Sequence, residues 1–216
     1  MNTLLTCAAR VADDPAVLHA IRDEDCNLAI WQRPLPVDFA ALTQGTPQDL
    51  RFTTTLADLP AALRAGLASG GYCGTALHDA LVADAGLLAD LFCAALGLTA
   101  LELRLEVVRT DSCRKFHADY VHARLITTYV GAGTDWLDET DADRVATGAE
   151  PQRINRLHTG DVGLFKGKLA TQRPAIHRSP PIAGTGAARL LLVFNPAPQP
   201  IGDSAVSPFS QGVEVA

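Results

Sequence analysis

The sequence lacks several features that would place it in a broad class at once. Its longest apolar stretch, residues 80–98, is broken by Asp84 and Asp90, and no run reaches the roughly 18 apolar residues of a membrane-spanning helix. Positive charge is also scarce, because 18 Lys and Arg residues stand against 24 Asp and Glu residues, for a net charge of −6. We therefore expect no membrane span and no general nucleic-acid binding, since nucleic-acid binders usually carry a basic face.

The five cysteines are odd in number, widely spaced and free of CxxC pairs. They are Cys7, Cys26, Cys73, Cys93 and Cys113. This pattern argues against a zinc ribbon and against a disulfide scaffold. Residues 1–7 lack the basic region and the apolar length of a secretory signal. We therefore expect reduced thiols and a cytoplasmic protein.

Two common catalytic patterns are missing as well. The glycine-rich stretch at residues 70–74 lacks the Lys-Ser/Thr ending of a phosphate-binding loop, so it is predicted to be a turn between helices. Ser179 is not enclosed in the Gly-x-Ser-x-Gly elbow of a serine hydrolase. Neither nucleotide-phosphate binding nor serine hydrolysis is expected.

The 216 residues are enough for one structural domain with a substantial core. Near residue 99 a mixed helical and strand part, residues 1–99, gives way to a strand-rich core, residues 100–196. Residues 197–216 are predicted to be a loosely ordered tail. Many short strands separated by turn signals indicate a sandwich or barrel, and helices that precede the strands are expected to pack on one sheet. The predicted fold class is α+β.

Hydrophobic patterns predict the individual elements. Strands are expected at 27–33, 51–55, 101–108, 113–129, 134–137, 153–157, 161–165, 175–178 and 189–195, with helices at 37–43, 57–68 and 76–96. The acidic stretch 138–152 is rich in turn-forming residues and is predicted to be a loop.

His117 and Asp119 are the most informative pair in the chain. They are two residues apart in the predicted strand 113–129, and side chains at i and i+2 of a strand point to the same face. A second histidine, His177, lies at the head of a later strand. Two histidines and one carboxylate that leave other coordination positions open are the ligand pattern of non-haem Fe(II) oxygenases. The sequence therefore predicts a metal site at these three residues.

Several other residues share the His117 face if the strand is unbroken. Cys113 could offer a fourth, sulfur ligand that favours zinc over iron, but the preferred interpretation is a small buried hydrophobe. Tyr129 lies on the same predicted face, further along.

Five blocks occur in a fixed order in the second half of the chain. They are His117-Ala-Asp119, Gly133-Thr-Asp-Trp136, His158-Thr-Gly-Asp-Val-Gly-Leu-Phe165, His177-Arg-Ser-Pro-Pro181 and Arg189. In order and spacing this layout resembles the core of the Fe(II)/2-oxoglutarate-dependent dioxygenases of the prolyl-hydroxylase-like type.

That resemblance implies a double-stranded β-helix, also called a jelly roll or cupin-like core. It also implies that His117, Asp119 and His177 bind Fe(II), with 2-oxoglutarate as co-substrate. Arg189 would then bind the distal carboxylate, since a guanidinium grips a carboxylate through two hydrogen bonds. Arg178 is a rival that should face the opposite way. Tyr129 would line the co-substrate pocket or, alternatively, pack in the core.

A second resemblance covers most of the chain from about residue 20. It rests on Asn27-Leu-Ala-Ile-Trp-Gln-Arg33, Cys113-Arg-Lys-Phe-His117 and the block that begins at His177. These stretches resemble the DUF1826 family of bacterial proteins, for which no activity is implied beyond a link to zinc homeostasis. The alternatives are therefore a non-enzymatic, zinc-binding cupin-like protein and a β-sandwich interaction module without metal. The substrate, small molecule or protein, is not disclosed.

Overall fold

The structure is a computed structural model that describes residues 8–198. It has the predicted α+β class, with a large, mostly antiparallel sheet, a small sheet and helices. The predicted tail falls outside the described residues from residue 199 onward, as do residues 1–7 with Cys7. The four cysteines of the described part are free thiols.

Within the described residues the elements have the following bounds. The strands are β1 Ala8–Ala12, β2 Cys26–Trp31, β3 Leu50–Thr55, β4 Ala100–Val108, β5 Ala123–Val130, β6 Asp135–Trp136, β7 Asn155–Arg156, β8 Val162–Lys166, β9 His177–Arg178 and β10 Arg189–Pro196. The α-helices are α1 Leu59–Ser69, α2 His78–Leu96 and α3 Glu139–Ala146. Short 3₁₀ helices span Pro15–Arg22, Ala40–Thr43 and Thr75–Leu77.

The large sheet has the strand order β1-β2-β8-β5-β10-β4-β3, and the small sheet has the order β7-β6-β9. In the large sheet only β1 and β2 are parallel, and every other neighbouring pair is antiparallel. From β5 onward the chain passes between the two sheets, because β6, β7 and β9 belong to the small sheet while β8 and β10 belong to the large one.

The main hydrophobic core lies between the helices and one face of the large sheet. Leu101, Leu103 and Leu105 of β4 alternate with polar residues, so all three point into this core and are fully buried. Full burial of one such side chain stabilises the fold by about 1.5–3 kcal/mol. Helix α2 supplies much of the opposite wall and ends at Gly97, whose positive φ of 68° suits a glycine cap.

A smaller core is formed on the other face of the large sheet. Its buried members are Leu28, Ile30, Ile126, Leu157, Phe165 and Ala175, with Trp136 of the small sheet packed against them. This second core positions the small sheet over the middle strands of the large one.

The sheet joins strands from both sides of residue 99. Strand β2 pairs with β8, and β3 pairs with β4. The N-terminal part therefore contributes strands to the same sheet as the C-terminal part. Within residues 8–198, none of the helices is both long enough and apolar enough to cross a membrane.

Two predicted elements are wrong. The single strand expected over 113–129 starts only at Ala123, and the segment before it is irregular apart from one β-bridge at His117. The predicted acidic loop contains helix α3, which is capped by Asp138, whose side chain accepts a hydrogen bond from the Asp141 amide.

Candidate metal centre

His117 and His177 lie directly opposite each other in an antiparallel bridge. The amide of each donates to the carbonyl of the other, with both N···O distances at 3.0 Å. Directly opposed residues of a bridge carry their side chains on the same face. The two imidazole rings are therefore neighbours, with centroids 4.8 Å apart.

Asp119 completes the group. Its Oδ2 lies 3.3 Å from His177 Nε2, and its Oδ1 lies 3.7 Å from His117 Nε2. One ligand atom from each of the three residues can be chosen so that all lie within 4.8 Å of one another. The structure thus brings together the three residues that the sequence predicts as metal ligands, although the assignment of a metal to them stays a prediction.

Each imidazole ring is oriented by a hydrogen bond at its Nδ1 atom. His117 Nδ1 lies 2.9 Å from the Lys115 carbonyl, and His177 Nδ1 lies 3.3 Å from the Ala175 carbonyl. A carbonyl can only accept, so each neutral ring carries its proton on Nδ1 and leaves the lone pair of Nε2 free. This is the usual outer hydrogen bond of a metal-binding histidine.

The two oxygens of Asp119 have different environments. Oδ1 accepts a hydrogen bond of 2.5 Å from Arg124 Nη1, whereas Oδ2 is buried and has no hydrogen-bond partner among the described residues. Leaving a buried carboxylate oxygen without a partner is costly unless a cation binds it. The lone pairs of Oδ2 and of the two Nε2 atoms are therefore available to bind a divalent metal.

The electrostatics of the centre favour an ionised carboxylate. Burial of Asp119 opposes ionisation, but the two imidazoles and Arg124 together hold the pKa of its carboxyl well below the usual range. In return, Asp119 raises the pKa of His117 against the effect of burial. Metal binding requires the neutral imidazole and the charged carboxylate, so protons compete with the metal at the histidines.

One wall of the centre is apolar and the other side opens to solvent. The ring of Phe165, part of the smaller core, lies 4.7 Å from the ring of His177. The His177 side chain is 5% exposed and that of His117 is 36% exposed. A molecule from solvent therefore reaches the centre from the His117 side.

Arg189, the predicted carboxylate-binding residue, is almost fully buried at the start of β10. Its Nε donates to the Ala132 carbonyl at 2.6 Å, and its Nη1 donates to Ser179 Oγ at 3.1 Å. Its Nη2 lies 3.3 Å from Thr128 Oγ1 and 3.5 Å from Thr134 Oγ1.

No carboxylate of residues 8–198 forms an ion pair with this guanidinium, and all its hydrogen-bond acceptors are neutral. Burial lowers the pKa of Arg189 to about 10, which the charge of Asp135 partly opposes. Asp135 itself is bound by Arg156 and Arg178. A buried cation without a direct counter-ion is a ready site for an anion.

Ser179, the residue after β9, connects Arg189 to the three candidate ligands. Ser179, which accepts from Arg189, is two residues after His177, so both are on the same face if the extended chain continues. Their Cα atoms are then roughly 7 Å apart. The rival Arg178 instead binds Asp135 and stacks over Phe116, with its guanidinium 4.3 Å from the ring centre.

Tyr129 does not share the face of His117, as an unbroken strand predicted, but packs in the core, which is the alternative position predicted for it. Its hydroxyl donates to Asp84 Oδ2 at 2.6 Å, and its ring packs in the main core beside Phe39. The break before Ala123 shifts the alternation of β5 relative to His117, so Tyr129 faces the helices. The structure does not bring it to the metal ligands, and Cys113 is also outside the ligand group.

Sequence reasoning missed Arg124, which contacts Asp119. An arginine inside an otherwise apolar and β-branched strand was the available signal, because a charged residue there needs a partner.

Comparison with known proteins gives one family and several distant structures. The family model described as DUF1826, protein of unknown function, matches residues 12–195. No curated protein matches the chain.

Among solved structures, dioxygenase for auxin oxidation 1 of Arabidopsis thaliana, bound to 2-oxoglutarate, is 11% identical with a TM-score of 0.46, covering 89% of this chain and 93% of that one. A prolyl-4-hydroxylase of Pseudomonas putida is 15% identical with a TM-score of 0.44, covering 84% and 93%. Hydroxypropylphosphonic acid epoxidase of S. wedmorenis is 19% identical with a TM-score of 0.29, covering 44% and 42%.

Proposed function

This chain belongs to the DUF1826 family, and we propose that it is an oxygenase that binds Fe(II) through His117, Asp119 and His177 and uses 2-oxoglutarate as co-substrate. The observation that carries the proposal is the pairing of two features. A three-residue ligand group with free lone pairs lies near a buried arginine that lacks a counter-ion.

The proposed fold is a double-stranded β-helix. Strands β4, β10, β5 and β8 are consecutive neighbours in the large sheet, while β9, β6 and β7 form the small one. The bridge at His117 adds a further short strand position beside β9. Eight positions divided between two facing sheets, with the chain crossing between them, support a jelly-roll arrangement.

The donor set supports an open metal site. Two imidazoles and one carboxylate oxygen occupy three positions of an octahedral centre and leave three others open. Bound Fe(II) would supply the redox chemistry that activates O₂ for oxidation of the substrate. The protein supplies the fixed ligands, the apolar wall at Phe165 and the outer hydrogen bonds that orient both imidazoles.

Arg189 would bind the distal carboxylate of 2-oxoglutarate. Its guanidinium is fixed by the Ala132 carbonyl through Nε, and the hydroxyls of Ser179 and Thr134 are placed to share the carboxylate with it. A charge-assisted hydrogen bond in a buried site contributes about 1.5–3 kcal/mol. The negative charge of the co-substrate carboxylate would thus neutralise the positive charge of Arg189, which has no counter-ion among the described residues of the free protein.

Zinc binding without catalysis is the alternative. The ligand group consists of three residues without a cysteine, which is the composition of an open site rather than of a closed structural zinc site. The unpaired charge of Arg189 has no role in a simple zinc carrier, and for this reason the oxygenase is preferred.

An anaerobic titration distinguishes the two functions. Fe(II) with 2-oxoglutarate should give a weak visible charge-transfer band in the wild-type protein, and zinc with 2-oxoglutarate should give none. His177→Ala should lose both the band and stoichiometric metal. His158→Ala is the matched control, since the His158 side chain is 80% exposed and outside the ligand group.

Stoichiometric metal in folded His177→Ala protein would refute the metal centre. Bound Fe(II) in the wild type, with no band on addition of 2-oxoglutarate, would refute the co-substrate and leave the zinc alternative.

A further inference from the structure

Arg124 connects the metal ligand Asp119 to a chain of hydrogen bonds across the large sheet. Its Nη1 donates to Asp119 Oδ1 at 2.5 Å, and its Nε donates to Asn195 Oδ1 at 2.7 Å. Asn195 in turn donates to Glu102 Oε1 at 2.9 Å, and Glu102 forms an ion pair with Arg51. The chain passes from β5 through β10 and β4 to β3.

This arrangement fixes the guanidinium from two sides. The Arg124 side chain is 19% exposed, so it is not a mobile surface group. Because Nε is bound to Asn195 and Nη1 to Asp119, the planar guanidinium has one orientation that satisfies both bonds. Arg124 therefore donates its hydrogen bond to one particular oxygen of the Asp119 carboxylate, Oδ1.

We propose that Arg124 is a positioning residue that confines Asp119 to binding the metal through Oδ2 alone. The proposal rests on the metal centre proposed above. A carboxylate can bind a divalent cation with one oxygen or with both. Arg124 occupies Oδ1 with a hydrogen bond of 2.5 Å, while the unpartnered Oδ2 lies 3.3 Å from His177 Nε2, so one-oxygen binding through Oδ2 is the favoured mode.

The number of open coordination positions follows from this restriction. With one oxygen from Asp119, three positions of an octahedral centre remain for exogenous ligands. With both oxygens, two remain. A ligand that binds through two oxygens would then fill the centre, so a second exogenous ligand could bind only by displacing Asp119 Oδ1.

The test uses the Co(II)-loaded, full-length protein and oxalate, a small ligand that binds a metal through two oxygens. Infrared difference spectra of metal-loaded against metal-free protein report the carboxylate mode, because one-oxygen binding separates the two stretching bands more widely than two-oxygen binding. Calorimetry at saturating Co(II) and oxalate measures the affinity for azide, a ligand that takes one further position, independently of metal affinity. The variants are Arg124→Met, Arg124→Lys and Arg51→Met.

Arg124→Met should narrow the separation of the carboxylate bands and weaken azide binding to the oxalate complex by about tenfold, the lower end of effects seen for groups that orient metal ligands. Arg124→Lys keeps a charged donor and should restore the wild-type bands. Arg51→Met alters the exposed far end of the same hydrogen-bonded chain, since the Arg51 side chain is 67% exposed, and should change neither readout.

Asn195→Ala serves as a second variant that keeps the Arg124 charge but removes the bond that orients it. It should move both readouts partway toward Arg124→Met, and it decides the question if Arg124→Met does not fold. Wild-type bands and wild-type azide affinity of the oxalate complex in the folded variants would overturn the positioning role. If the wild-type protein binds no Co(II), the metal centre itself fails, and this inference fails with it.

Discussion

Arg189 is a buried charged residue that lowers the stability of the fold. Its side chain is 1% exposed, and its hydrogen bonds satisfy the guanidinium only with neutral oxygens. A buried charge without a counter-ion costs several kcal/mol in desolvation, only part of which neutral acceptors repay. Such an arrangement is expected where an anionic ligand supplies the missing charge.

Replacing Arg189 by Met should therefore weaken binding of the anionic ligand while the protein still folds. We expect Arg189→Met to weaken 2-oxoglutarate binding to the Fe(II)-loaded protein by about 10- to 100-fold, because one or two charge-assisted hydrogen bonds are lost. Metal affinity should stay unchanged, since Arg189 contacts none of the three ligands. Anaerobic calorimetry with 2-oxoglutarate measures the effect.

Arg156→Met is the control, because Arg156 is half-exposed and Asp135 keeps its bond to Arg178. Its 2-oxoglutarate affinity should resemble that of the wild type. Equal affinity in Arg189→Met would assign the co-substrate carboxylate to another group.

At the scale of elements, the segment between β4 and β5 determines the geometry of the centre. His117 is held by its bridge to His177, and the Asp119 carbonyl accepts from the Lys168 amide at 2.9 Å. Residues 121 and 122 also accept backbone hydrogen bonds, from Leu169 and Gly167. The ligand-bearing segment is therefore fixed by two neighbouring backbones, although it is not a regular strand.

Gly167 is the point of closest approach in this packing. A Cβ at that position would overlap the Val121 carbonyl and lie 2.9 Å from the Asp119 carbonyl. Gly167→Ala should therefore push the ligand-bearing segment away from the chain that follows β8, lower metal affinity by at least tenfold and destabilise the fold by about 1–3 kcal/mol. Metal titration and chemical denaturation measure the two effects.

Gly86→Ala is the matched control for this substitution. Gly86 lies within α2, and a Cβ there would meet no atom within 4 Å. Replacing a helical glycine by alanine should stabilise the protein by about 0.5–1 kcal/mol without altering metal affinity. A Gly167→Ala variant that binds metal as the wild type does would show that the backbone contact does not position Asp119.

The same segment explains how far the sequence could predict the centre. The approach of His117 to Asp119 needs only two extended residues, so alternation predicted it although the strand around them is broken. The prediction that Tyr129 lies on the same face as His117 required an uninterrupted strand between them. The irregular stretch before Ala123 places Tyr129 on the opposite face. Arg124 escaped prediction because its role comes from the register of β5 against β10, a long-range feature.

At the scale of the whole molecule, a buried ion pair ties the helical layer to the sheet. Arg33 follows β2, Asp84 lies in α2, and their paired groups are 2.5 and 2.8 Å apart. Tyr129 of β5 donates to the same carboxylate, and Arg33 Nε also donates to the Gly160 carbonyl. The side chains of both ion-pair partners are less than 10% exposed.

Asp84→Ala should therefore be among the most destabilising single changes in the chain. It leaves the Arg33 guanidinium buried without a carboxylate, which costs about 3–5 kcal/mol, whereas Tyr129→Phe removes one hydrogen bond and should cost about 1–2 kcal/mol. Asp90→Ala, at an exposed position of the same helix, should change stability by less than about 0.5 kcal/mol. Urea denaturation measures all three, and near-equal values for Asp84→Ala and Asp90→Ala would contradict the structural importance of the ion pair.

Metal binding should also stabilise the molecule as a whole, because the ligands come from two separate parts of the chain. His117 and Asp119 precede β5, while His177 is on β9, so a cation bound to all three resists separation of these segments. A ligand that binds only the folded state at about 100 times its dissociation constant adds about 2.7 kcal/mol to stability. For a chain of this size that corresponds to a rise in Tm of roughly 5–10 °C.

Thermal unfolding with and without Zn(II) or anaerobic Fe(II) measures this stabilisation. The wild type and Cys113→Ser should show the full rise in Tm, since Cys113 is outside the ligand group. Asp119→Ala should show none, because two imidazoles alone neither balance the charge of the cation nor complete three-point attachment. A rise that survives in Asp119→Ala but disappears in Cys113→Ser would place the metal on the cysteine and exclude the open three-ligand centre on which the oxygenase proposal depends.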